Sequence, residues 1–277
     1  MFKTRKLIIL YFFVAMSFIF SVGGYFYIEE VPSEYESAMA RLKYQLDYSN
    51  VYAASDVYSS ENEKAVQSDS NNDKTVYLTF DDGPSPRTLE ILDILKKYNI
   101  KATFFILSDD KESSKDIVKR IYDEGHSIGV HSASHDYEKI YKSVDHFLND
   151  FKKCFDYIKD ITGESPGIFR FPGGSINSYN KSICKELTDE MIRRGFTYFD
   201  WNVSSDDAVK GYTEESIYNN VINGCKKHSV SVVLMHDSAP KKATVAALEK
   251  IIPELLDQGY TFDQLDETAQ PTIFKID

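Results

Sequence analysis

Two adjacent carboxylates, Asp81 and Asp82, stand directly behind an apolar, β-forming run in YLTFDDGPSPRT, with a Gly-Pro turn after them. Such a pair can be a solvated turn with a helix cap. Alternatively, one carboxylate holds a metal while its neighbour moves a proton. Further along, HSASH places His131 and His135 four apart, a spacing at which one helical turn would aim both imidazoles at one point. With a carboxylate from elsewhere, Asp82 being the candidate, they make a three-ligand set for Zn²⁺ that leaves a fourth position for water. Arg170, Asp206-Asp207 and His236-Asp237 are further titratable residues behind β-forming runs. Singly, each has a plain structural reading: satisfied surface or core histidines, half of a structural ion pair, a buried histidine at a strand end. Their common placement argues for more.

That placement comes from the pattern of residues 75 to 268. Short β-rich runs (TVYLTF, KATFFIL, HSIGVH, GIFRF, TYFDWNV, SVVLMHD, YTFDQL) alternate with amphipathic stretches such as PRTLEILDILKKYN and a helical block from about Ser143 to Thr162. Seven strand candidates separated by helices predict an α/β fold with a parallel sheet, a distorted (β/α)7-type barrel rather than an open doubly wound sheet. Ser85 followed by Pro86 suits an N-cap and first helical position. Gly125, Gly195 and Gly259 stand where helix ends take a left-handed residue, and Pro253 is expected to kink the last helix. In parallel α/β folds chemistry collects at the carboxyl ends of strands, and the titratable residues recur at that one edge.

The N-terminus is organised differently. Lys3, Arg5 and Lys6 precede LIILYFFVAMSFIFSVGGYFYI, Leu7 to Ile28, which carries no charge. At about 1.5 Å rise per residue this run spans a hydrocarbon core of about 30 Å. It is longer than the apolar region of a cleavable signal, although Ser21-Val22-Gly23 would permit cleavage. Residues 1–28 are therefore expected to form a single transmembrane helix with its basic end in the cytoplasm and all that follows outside. A cleaved signal peptide with secretion is the alternative. Residues 29–74, acidic and rich in Ser and Asn, read as a solvated stalk ahead of a domain at 75–277. The net charge of −11, without a basic cluster, excludes nucleic acid as the main partner. Cys154, Cys184 and Cys225 have no metal or disulfide spacing and are expected to be small apolar fillers.

TFDDGPS, HSASH, FRFPGG, WNVSSDDA and LMHDS resemble, in order and spacing, the five motifs of the polysaccharide deacetylases, the NodB-homology enzymes of carbohydrate esterase family 4. The resemblance covers about Thr75 to Leu265. It implies a metal-dependent hydrolase, with zinc the usual ion and Co²⁺ or another divalent metal an alternative, that removes acetyl from N-acetylated sugars. By motif match, it implies Asp81 as general base, Asp82, His131 and His135 as metal ligands, and His236 as general acid. Arg170 would hold Asp81. The motif-four acid, read as Asp207 with Asp206 one register away, would orient His236. Gly173 would offer a backbone N–H to the oxyanion and Leu234 would line the pocket for the acetyl methyl. Two positions depart from the common pattern: Gly173 stands where the family commonly has Tyr, and Ala208 where it commonly has Trp. Both make the apolar wall of the pocket thinner.

An extracytoplasmic, membrane-tethered member of this family is expected to act, as a monomer, on N-acetylglucosamine of peptidoglycan. Chitin oligomers, poly-N-acetylglucosamine and acetylated xylan are the alternatives within the enzyme class. A non-catalytic carbohydrate-binding surface protein is the alternative outside it. If Leu7 to Ile28 is retained, full-length protein should stay with membranes through a high-salt wash and be degraded by protease added outside. A mature N-terminus near residue 24 would show cleavage instead.

Overall fold

A computed structural model describes residues 74–275. The anchor expected at 1–28 and all of the stalk but Lys74 lie outside the described residues. Among the described residues no helix is long and apolar enough to cross a membrane.

The alternation expected from the sequence is present. β1 (Lys74–Gly83) leads to α1 (Pro86–Tyr98), β2 (Thr103–Leu107) to α2 (Glu112–Asp123), and β3 (Ser127–Ser132) to a short α3 (Tyr137–Ile140) and the long α4 (Val144–Thr162). β4 (Ile168–Phe169), α5 (Cys184–Arg193), β5 (Thr197–Tyr198), β6 (Val203–Ser204) and α6 (Glu214–Cys225) follow. β7 (Val230–His236), α7 (Lys242–Asp257) and β8 (Tyr260–Asp263) complete the domain. Local signals set the ends. The Ser85 hydroxyl accepts from the Arg87 N–H and shares a capping box with Thr88, while Ser143 caps α4 through the His146 N–H. Gly125, Gly195 and Gly259 are left-handed just beyond α2, α5 and α7. α7 continues through Pro253.

Every strand pairing is parallel, in the order β5-β4-β3-β2-β1-β7-β6, with β8 added beside the start of β1. β5 and β6 are joined by only Phe199 to Asn202 yet stand at opposite ends of this path. The sheet therefore curls until its edges return toward each other, giving a half-barrel. One expectation is corrected here. TYFDWNV is not a single strand but two short ones on opposite edges, so the described residues contain eight strands rather than seven. Its middle leaves the ladder because the carbonyls of Phe199 and Asp200 accept from the Arg170 guanidinium and the Asp200 N–H donates to Thr272.

The period of two along each strand separates two environments. Leu78 and Phe80 on β1, Phe104 and Ile106 on β2, Val130, Phe169, Val233 and Met235 face the helices in the main core. Phe105, Ile168, Phe199, Val232 and Leu265 form a smaller cluster inside the curl. Each fully buried Leu, Ile or Phe contributes about 1.5–3 kcal/mol, so the outer layer carries most of the driving force. The polar residues Thr79, Asp81, His131 and Arg170 share the inward phase and are buried at the carboxyl end of the strands. Cys154, Cys184 and Cys225 are free and buried, as expected of apolar fillers.

Gly129 on β3 faces inward against the ring of Phe105, on which the Arg170 guanidinium packs 4.3 Å from the centroid. A Cβ at Gly129 would lie within 2.5 Å of Phe105 Cε1 and 3.2 Å of Ile168 Cγ1. Overpacking of this kind costs about 1–3 kcal/mol. Gly129→Ala should therefore lower the melting temperature by roughly 3–10 °C. An unchanged melting curve would show that Phe105 yields freely.

Candidate active site

Asp81 and Asp82 are adjacent in sequence but are held in opposite ways. Asp81 is the last inward-phase residue of β1, opposite His236 on β7 and Phe105 on β2. Its Oδ1 accepts from Arg170 Nη1 at 2.9 Å. Arg170 is wholly buried, and three more of its five N–H donors go to Thr79 Oγ1 (2.6 Å) and to the carbonyls of Phe199 (2.9 Å) and Asp200 (3.0 Å). Asp82 is the irregularity in the β1–β2 pairing between Asp81 and Gly83, with φ of 71°, which turns its carboxylate away from Arg170 and toward the histidines. Its Oδ1 lies 3.5 Å from His131 Nε2 and 3.2 Å from His135 Nε2.

The turn after them is also the capped turn that the sequence suggested. Ser85 donates through its hydroxyl to the Asp237 carbonyl, Thr88 donates to the Asp237 carboxylate (each 2.5 Å), and the Asp237 N–H donates to Asp81 O. Gly83 is required by this arrangement, since a Cβ there would lie 2.6 Å from Asp237 Oδ1. Burial, reinforced by the charges of Asp82 and Asp81, pushes the Asp237 carboxyl up to about 7. The capped-turn reading of the opening motif is thus correct, and the cap fixes the backbone that carries Asp81 and Asp82.

His131 and His135 do not share a helical turn, which corrects the expectation from their spacing. His131 is at the end of β3, and His135 follows a bend in which it has φ of 52°. The bend is held by Asp150 of α4, which accepts from the Ser132 hydroxyl and the N–H groups of Ala133 and Ser134, while the His135 N–H donates to Ser132 Oγ. His131 Nδ1–H donates to the Arg170 carbonyl at 2.8 Å, which leaves the Nε2 lone pair facing the site. Burial, then the neighbouring His131, lowers the His135 pKa and keeps its imidazole neutral.

These side chains fit a metal ion. One donor atom from each of Asp82, His131 and His135 lies within 4.8 Å of the others, and Asp82 Oδ1 is a buried acceptor without a hydrogen bond. Two imidazole nitrogens and a carboxylate oxygen are a donor set suited to Zn²⁺. The described residues contain no second such group of three.

His236 ends β7 on the other side of Asp81. Its Nδ1–H donates to Asp207 Oδ1 at 2.6 Å, and its main-chain N–H donates to Asp207 Oδ2. Asp207 is buried and also takes Thr244 Oγ1 on Oδ2, with Lys241 Nζ on its carbonyl. Asp206, the other register, turns away to Ser204 and Asn220 and is exposed. Burial alone would lower the His236 pKa, but the Asp207 bond and charge outweigh it and the net shift is upward. Burial works against Asp207 ionisation too, yet its bond to His236 leaves its pKa lowered.

Gly173 has φ of 76° in the loop after β4, and Leu234 is on the inward phase of β7, paired with Thr79 and Ser204. The wall beside Gly173 is not thinner, as the missing side chain suggested, because the ring of Tyr137 occupies that space. Sequence reasoning missed Thr79, Asp150 and Thr244. Thr79 was detectable as a polar residue in phase with Asp81. Asp150 and Thr244 sit among other polar helix residues and carry no sequence signal.

The His236–Asp207 pair has a definite pH window. Its stabilisation is full between the lowered pKa of Asp207 and the raised pKa of His236. It is lost as pH rises through the latter or falls through the former. His236 should titrate above the ordinary histidine value of about 6.5. In Asp207→Asn, burial is opposed only by the charges of Asp81 and Asp82, and the titration should move down from its wild-type position. NMR of the imidazole carbons against pH checks both, and an unmoved midpoint would sever the pair.

A family model, polysaccharide deacetylase, matches residues 68–192. A peptidoglycan-N-acetylglucosamine deacetylase of Bacillus cereus is 35% identical over 202 residues, 71% of this chain and 71% of that protein. Among solved structures, the catalytic domain of peptidoglycan N-acetylglucosamine deacetylase from Eubacterium rectale superposes with a TM-score of 0.70 at 40% identity. That match covers 77% of this chain and 99% of the other. A polysaccharide deacetylase from Bacillus cereus has a TM-score of 0.63 at 32% identity, with 72% and 96% covered.

Proposed function

The chain belongs to the polysaccharide deacetylase family, and on that premise we propose that it removes acetyl groups from N-acetylglucosamine residues of peptidoglycan, with a divalent metal, zinc foremost. The reading rests on one observation. The two neighbouring acids are split between a guanidinium and a pair of imidazoles, so one can serve as base while the other serves as ligand.

Asp82, His131 and His135 would hold the ion, which when bound would polarise the acetyl carbonyl and make water more acidic at neutral pH. The remaining chemistry belongs to the chain. Arg170 ties up Asp81 Oδ1 and leaves Oδ2 to take a proton from the attacking water. The water oxygen bonds to the acetyl carbon. The Gly173 N–H would stabilise the charge that develops on the carbonyl oxygen. As the carbon–nitrogen bond breaks, His236 gives its proton to the departing amine, with Asp207 compensating the imidazolium. The products are acetate and a glucosamine residue. Leu234 would face the acetyl methyl. Catalysis outside the membrane, on a domain tethered by residues 1–28, suits a cell-wall substrate.

Asp82→Asn should lose the metal, because a neutral amide is a poorer ligand. Asp81→Asn should keep most of it and lose about 10² to 10⁴ in rate, the usual contribution of a general base. Metal content by elemental analysis and acetate release from peptidoglycan, measured on both variants, check this. An apo Asp81→Asn beside a metallated Asp82→Asn would reverse the two roles. Wild-type protein that binds peptidoglycan but releases no acetate would favour a carbohydrate-binding protein.

A further inference from the structure

Gly173 lacks the side chain common at that position, yet the space beside it is filled. A Cβ at Gly173 would lie 2.8 Å from Cε1 and 3.1 Å from the hydroxyl of Tyr137. The ring that the loop after β4 does not provide is supplied instead from the start of α3, two residues beyond His135.

Tyr137 belongs to a column of rings leading out from the site. It meets His135 edge-on at 5.2 Å, Tyr141 at 6.0 Å and Tyr179 at 5.2 Å. Tyr141 is 5% exposed and anchors the column by donating to the Pro172 carbonyl, whereas Tyr179 is 50% exposed. Tyr179 is not on a loose loop. Asn177 donates to the Pro172 and Gly174 carbonyls and accepts from the Tyr179 N–H, while the buried Asn180 donates to Gly174 and Ser175. An exposed ring is thus presented in a fixed position, continuous with a ring that packs on the metal-site histidine. Burial in the core does not account for Tyr179.

We infer that Tyr137 and Tyr179 form a stacking subsite for a pyranose ring of the polysaccharide, next to the sugar whose acetyl group is removed. This rests on the reading of the site as a polysaccharide deacetylase acting on N-acetylglucosamine. The axial C–H faces of a β-linked glucosamine ring are apolar and flat, and they pack on an aromatic face while the equatorial polar groups stay in water. A rigid tyrosine wall supplies that face at little cost in ordering. The departure at Gly173 then marks a relocated aromatic contact, not a lost one.

The test uses the full-length protein and the β-1,4-linked tetramer of N-acetylglucosamine. Tyr179→Ala and Tyr137→Leu should each raise KM about tenfold and change kcat by less than about threefold, whereas Tyr137→Phe, which keeps the ring, should retain the wild-type KM. Because Tyr179 is half exposed, its variant tests the subsite even where Tyr137→Leu folds poorly. An unchanged KM in Tyr179→Ala, or an equal loss in Tyr137→Phe and Tyr137→Leu, overturns the inference. A wild type that binds the tetramer by calorimetry without releasing acetate sinks the deacetylase reading alone. The subsite is then judged by Kd in the same variants: a tenfold rise sustains it and no change overturns it. A wild type that neither binds nor deacetylates the tetramer overturns the subsite.

Discussion

The buried guanidinium of Arg170 is the interaction on which the rest of the site depends. It lies inside the curl of the sheet, over the face of Phe105, and joins β4 to Thr79 and Asp81 on β1 and to the carbonyls between β5 and β6. Those contacts reach across the barrel interior, where no strand-to-strand ladder runs. A charge so buried is tolerable only when each donor is matched, and removing one partner of such a pair costs about 3–5 kcal/mol. The same residue serves the histidine side of the site through its carbonyl, which holds the ring of His131. One residue therefore orients both the proposed base and a proposed ligand.

The seam between β5 and β6 follows from the same constraint. Had TYFDWNV continued as one strand, the carbonyls of Phe199 and Asp200 would have been spent on a neighbouring strand and unavailable to Arg170. The Asp200 side chain adds to the cost of leaving the ladder and is repaid by local bonds: its carboxylate accepts from Ser175 and from the Phe274 N–H. In this way the C-terminal segment and the loop carrying Gly173 are held to one buried acid. Phe274 also closes over Gly174 and meets Trp201 edge-on at 4.9 Å. The open edge of the half-barrel is thus sealed by the last described residues.

Electrostatics divides the site into two halves. On one side Asp82 and two imidazoles, His135 kept neutral by burial, present lone pairs suited to a cation. On the other, Asp207 draws positive charge onto His236. Asp81 lies between them, with one oxygen immobilised. Amide hydrolysis needs a base and an acid working in sequence on opposite sides of one carbon, and in the proposed mechanism these two environments would hold those roles.

Much of this was legible in the sequence. β-rich runs alternating with amphipathic stretches, the cap at Ser85, and titratable residues behind successive β-runs defined the α/β class and the edge at which the site lies. They also singled out Asp81, Asp82, His131, His135, Arg170 and His236. These signals are local, fixed by backbone periodicity and by what a few neighbouring residues can hydrogen-bond. What only tertiary structure decided is of another kind. That Asp207 rather than Asp206 meets His236, that the histidines sit on a strand end and a bend instead of a helix, that TYFDWNV divides, and that Tyr137 fills the space beside Gly173 all depend on contacts between distant segments. Asp150, Arg170 and Thr244 select these arrangements by satisfying buried groups across the barrel, and no periodicity along one segment encodes which distant donor will be there.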